Sequence, residues 1–211
     1  DGQPWFLCAS NDAGQTVDWG DVKDSNAGLG ATITAIHSTD SSNNVNWSFA
    51  VIGATNTWIG AVNTDWGTAG NWDLARAPIA EDSETVVSNG CAYYPVLTAP
   101  KTVNRLTFRS GASLALNGRD LAVQGDAVLP GSLAASGTET LRFAGNVDFT
   151  GGTFTQAQTL VILDAAGAQS LTSAGNAFHR LTVTNAGRVV TLADAGSVDY
   201  LRCHSASVMG Q

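Results

Sequence analysis

The chain has 211 residues, 44% of them apolar and 13% charged, with a net charge of −8. A packed core can form, in one large domain or two small ones, and disorder is excluded. The acidic balance, with two lysines and eight scattered arginines, excludes nucleic acid or an anionic membrane surface as partner, and no apolar run approaches the 18 residues of a membrane-spanning helix.

The first residue is Asp1, with no initiator methionine, so the sequence is expected to be processed or excised from something longer. Asp18, Asp21 and Asp24 in "DWGDVKD" recur at a spacing of three. On a strand that spacing alternates faces, so a solvated turn is expected, with a weak Ca2+ site as the alternative. "STDSSNN" at 38–44 is rich in oxygen ligands but lacks the D-x-D-x-D-G pattern of a calcium loop. Asn46-Trp47-Ser48 is an N-x-S sequon.

Tryptophan is unevenly spread: Trp5, Trp19, Trp47, Trp58, Trp66 and Trp72 all precede residue 73. Residues 51–101 mix three of them with Gly, Asn and Pro and read as an irregular linker or cap. Large indoles suit the covering of an open solenoid end, which exposes unpaired backbone and apolar side chains. Trp66 and Trp72 lie beside polar residues in "DWGTAGNWD", so stacking on sugar rings is the alternative reading. Glu81, Asp82 and Glu84 in "EDSE" form a second acidic group, expected to sit in a solvated turn.

From residue 102 to 211 the chain carries short apolar runs of near period two, separated by Gly, Asn and Asp: "VNRLTF", "SLALN", "DLAVQ", "TLVIL", "FHRLTV", "RVVTL". Such strands predict an all-β fold, either a solenoid or a sandwich. "VNRLTFRSGASLAL" matches "FHRLTVTNAGRVVTL", pairing Arg105 with Arg180 and Leu106 with Leu181 at an offset of 75 residues. With coils of roughly 20–25 residues, that offset reads as three coils and favours the solenoid.

These segments resemble modules of very large secreted or surface-attached bacterial proteins, similar to autotransporter and filamentous-adhesin passengers. "TWIGAVNTDWGTAGNWDLARAPIAEDSETVV" is similar to the opening part of such a module, "NAFHRLTVTNAGRVVTLADA" to one of its coils, and "VDWGDVKDSNAGLGATITAIHSTDSSNNVNWSF" to its closing part. The resemblance implies a right-handed parallel β-helix at the cell surface or outside the cell. The closing part comes first here, so residues 1–50 are expected to be coils that complete a neighbouring copy. Joining Gln211 to Asp1 gives an unbroken coil series. Trp5, Phe6 and Cys8 then face Cys203 and Val208 across a subunit interface. Stacked coils bring equivalent Cβ atoms ~4.8 Å apart, near disulfide range, so a Cys8–Cys203 cross-link between copies is one expectation and two stacked, unlinked core cysteines the other.

No catalytic constellation stands out. His37, His179 and His204 lack zinc-ligand spacing, and Cys8, Cys91 and Cys203 lack it as well. No cofactor and no metal are expected beyond the Ca2+ alternative. The expected function is a non-enzymatic structural repeat of an extracellular filament or giant adhesin, partnered by itself. The rivals are a surface-glycan-binding module and, behind it, a polysaccharide lyase.

Overall fold

The computed structural model describes residues 4–8, 15–36, 38–49, 53–184, 189–204 and 207–210. It is all-β and, apart from one single-residue bridge, all its strand pairs are parallel. Successive coils lay strand on strand, which makes a parallel β-solenoid. The chain divides into two compact units, Asp1–Ala54 and Thr55–Gln211.

The first unit holds β1 (Trp5–Phe6), β2 (Gln15–Asp18), β3 (Asp21–Val22), β4 (Ser25–Asn26), β5 (Ile33–Ile36), β6 (Thr39–Asp40) and β7 (Trp47–Phe49). β1 pairs with β4, β2 with β5 and then β7, and β3 with β6. Among the described residues its apolar core is small: Val22, Ala27, Ile33 and Ala35 are buried, and Leu7, Val17 and Trp47 pack against Ala27 and Ile33. Side-chain hydrogen bonds between coils supplement it. The Asn44 amide donates to Val22 O at 2.8 Å and to Asp40 at 2.7 Å, and its Oδ1 accepts from Ser25 N at 3.0 Å.

The second unit opens with β8 (Thr55–Trp58) and β9 (Glu84–Val87). Three full coils follow: β10 (Lys101–Val103), β11 (Leu106–Phe108), β12 (Ser113–Ala115); β13 (Leu121–Val123), β14 (Ala127–Val128), β15 (Ser132–Ala134); β16 (Thr140–Phe143), β17 (Val147–Asp148), β18 (Thr153–Thr155). The last coils hold β19 (Leu160–Leu163), β20 (Gln169–Thr172), β21 (Ala177–Val183), β22 (Val189–Leu192), β23 (Ser197–Cys203) and β24 (Ser207–Gly210). They stack into an eight-stranded sheet ending in β24, a six-stranded sheet ending in β23, and a three-stranded sheet of β12, β15 and β18.

In the six-stranded sheet the register advances by 20 residues at every step, from Lys101 through Leu121, Leu141, Val161 and Leu181 to Leu201. That regularity corrects one sequence expectation. Leu106 lies in the eight-stranded sheet and Leu181 in the six-stranded one, so the 75-residue match links different faces and is not a whole number of coils. Every face needs an apolar-x-apolar strand followed by a tight turn, so similar sequence does not specify the face.

The 51–101 segment is more regular than its composition suggests. Asp65 and Val96 form single bridges that carry the line of β12 back into the first coils. Stacked turns also constrain the backbone. A Cβ on Gly152 would fall 1.9 Å from Leu129 O, a clash that only glycine avoids.

One buried carboxylate ties two coils together. Glu139, 2% exposed, accepts hydrogen bonds from the Gly118, Ser136 and Gly137 amides at 2.8–2.9 Å. Burial pushes its pKa up, but the amides of Ser136, Glu139 itself, Gly118 and Gly137 outweigh that and hold it at about 2. A depressed folded-state pKa stabilises above the unfolded value of 4.5, and that contribution is lost as pH falls from there toward 2. Denaturant titrations at pH 7 and pH 2.5 should show a stability loss in the wild type that Glu139→Gln reduces, by at most about 3 kcal/mol.

Candidate functional site: the two ends of the coil stack

The Thr55–Gln211 unit is closed at its first coil and open at its last. At the first coil, Trp58, Trp66 and Trp72 are buried at 0%, 0% and 1% exposure. Trp72 meets Trp58 and Trp66 edge-on, at centroid distances of 5.1 and 4.8 Å. The chain from Ile59 to Trp72 folds around Asn71, whose Oδ1 accepts from Val62 N and Asn63 N and whose amide donates to Asn63 and to Asp65 O. The outer edge of β8 is occupied as well: Asp73 N donates to Thr57 O at 2.9 Å, and Ile59 N to Asn71 O at 2.7 Å. No strand can add there without displacing these bonds.

In the six-stranded sheet the inward columns reach exposed side chains at the last coil. Val103, Val123, Phe143, Leu163 and Val183 form one buried column whose next member, Cys203, is exposed. The column through Leu141, Val161 and Leu181 is 0–1% exposed, and its next member, Leu201, is 51% exposed. Val198, paired with buried Phe178, is half-buried. Among the described residues no strand lies beyond β23 or β24. A notch of about 20 Å³ opens beside this coil, lined by Leu171, Phe178, Leu181, Leu192 and Val198. At the rim, His179 Nδ1 lies 3.1 Å from Asp199, and Tyr200 stands edge-on to the imidazole.

Other inferred residues fall as follows. Trp5 and Phe6 are 49% and 67% exposed on β1, which among the described residues has a neighbour on one side only. Cys8 is exposed, with its thiol near Leu29 O. Cys8 and Cys203 are both free thiols within the chain and lie in separate units. Val208 belongs to β24, and its side chain lies outside the described residues, as does His37. Burial of Cys91 pushes its thiol pKa up, which makes it less reactive.

Sugar stacking by Trp66 and Trp72 is overturned, because neither ring presents a face to solvent. The acidic groups are held by local donors. Asp21 accepts from Ser41, Asp24 from Asn43 at 2.8 Å, and Glu84 from Thr107 at 2.5 Å. Asp82 is fully buried, not in a solvated turn, and is paired with Arg76. Among the described residues no cluster of three His, Cys, Asp or Glu side chains has metal-binding geometry.

A feature missed from sequence is a polar row on the eight-stranded sheet, Arg105, Asp126, Asn146 and Ser170, brought together by coil register. With Asp148 and Thr172 it lines a shallow groove of about 240 Å³. The signal was the coil-length spacing of these residues, legible only once the strands are assigned to faces. Comparison with protein-family models, curated proteins and solved structures finds no match to this chain.

Proposed function

We propose that the chain is a non-catalytic structural module that stacks end to end through its exposed coil into an extracellular filament or surface adhesin. One observation carries this reading: the buried apolar columns of the solenoid end on Leu201 and Cys203, which are exposed on an edge strand. An edge strand with unpaired backbone groups is a template for another strand, and strand addition supplies both the missing hydrogen bonds and the apolar cover. A contact of unlike faces that does not close into a ring generates a filament. In an oxidising environment the thiols of Cys8 and Cys203 would cross-link successive copies, with two electrons and two protons passing to an external oxidant such as dioxygen. The low charged fraction fits a location outside the cell.

The experiment is sedimentation velocity over a hundredfold range of concentration, with electron microscopy of the most concentrated sample. Oligomers that grow with concentration, and filaments in the images, are expected. Monodisperse monomers throughout would sink the reading. The groove along Arg105, Asp126, Asn146 and Ser170 favours a second reading, binding of a neutral glycan, because carboxylates, an amide and hydroxyls together suit a polyhydroxylated ligand.

A further inference from the structure

We infer that the partner of the open coil end is the Asp1–Ala54 unit of a second copy, which lays the leading edge formed by β1, β2 and β3 against β23 and β24. The inference rests on the end-stacking reading above and gives the structural grounds for the face that its Cys8–Cys203 link requires.

Three observations select that face. First, the alternative leading edge, β8 of a second Thr55–Gln211 unit, is already occupied by Asn71 and Asp73 and sealed by three buried indoles. Second, β1, β2 and β3 have no strand on their leading side among the described residues. β1 there shows Trp5, in register with buried Ser25, at 49% exposure, apolar surface that matches Val198 and Leu201, whereas Phe6 pairs with Asn26 and points outward. The strand pairs of both units are parallel, so a leading edge added to a trailing edge continues the same pairing.

Third, the charges suit unlike faces. The leading strands β2 and β3 carry Asp18 and Asp21, whereas β23 carries Asp199 with Arg202, so a second leading edge would set like charges against each other while the open end supplies an arginine. Like-charge juxtaposition suppresses the wrong partner.

The test uses the full chain and two variants, Leu201→Lys at the open end and Trp5→Lys at the leading edge. Each is expected to sediment as a monomer at concentrations where the wild type associates. An equimolar mixture is expected to give heterodimers that grow no further, because each variant keeps the face that the other lacks. Trp5→Lys that still dimerises alone would show open ends pairing with each other; this overturns the assigned partner and leaves end stacking in place. A wild type that stays monomeric overturns end stacking itself. Near-UV circular dichroism checks the fold of each variant, and Trp5→Ser with Leu201→Ser replaces the pair if a lysine variant fails to fold.

Discussion

Trp72→Ala is expected to destabilise the Thr55–Gln211 unit by about 3–5 kcal/mol, the range for removing a large aromatic from a packed core. The indole is 1% exposed, touches Trp58 and Trp66 edge-on, and donates its Nε1 hydrogen to Trp66 O at 2.8 Å. The substitution opens a void between two other indoles and leaves a buried carbonyl without that donor, so collapse of the loop cannot recover the loss. Thermal unfolding followed by near-UV circular dichroism, which reports aromatic packing, should show a midpoint lower by roughly 6–20 °C for a unit of this size. A change below about 0.5 kcal/mol, the level of ordinary surface substitutions, would place the indole at the surface and revive the sugar-stacking reading of Trp66 and Trp72.

That reading shows where sequence stops being informative. Trp66 and Trp72 are flanked by Asp65, Gly67, Asn71 and Asp73, and polar neighbours in sequence suggest exposure. The deciding residue is Asn71, fully buried, whose side chain meets the backbone of Val62, Asn63 and Asp65 and so supplies the polar partners that let the loop fold over the indoles. An asparagine that organises a loop from inside cannot be told by composition from one in a solvated turn. The all-β class was legible, because short strands of period two with few helix-forming stretches leave a solenoid or a sandwich. The 75-residue match that favoured the solenoid joins different sheets, so that choice was right on a ground the stacking does not bear out. The face assignment was not legible: "NRLTF" and "HRLTV" sit on different sheets. The polar row from Arg105 to Ser170 depends on that assignment and was hidden with it. Leu201 and Cys203 continue the apolar pattern of every preceding coil, so only stacking reveals that nothing described covers them.

Asp82→Ala is expected to cost about 3–5 kcal/mol, the range for breaking a buried ion pair by removing one partner. Asp82 is fully buried and takes both guanidinium nitrogens of Arg76, at 2.8 and 2.5 Å, together with the Ile79 amide at 3.1 Å. Arg76 O in turn accepts from the buried Asn56 amide at 3.0 Å. The pair therefore pins the return of the chain from the tryptophan loop to β9. Truncating the carboxylate takes both Asp82 hydrogen bonds from a guanidinium at 16% exposure and removes an acceptor from Ile79. Urea titration of Asp82→Ala, Arg76→Met and the double variant measures the coupling. The double variant should lose less than the sum of the singles, by about 1–3 kcal/mol. Additive losses would show that the two side chains act separately and that solvent already screens the pair. Because the pair belongs to the closed first coil, Asp82→Ala should lower stability without altering association, whereas Leu201→Lys should abolish association with little change in unfolding. That opposite pattern separates what holds the solenoid together from what joins one copy to the next.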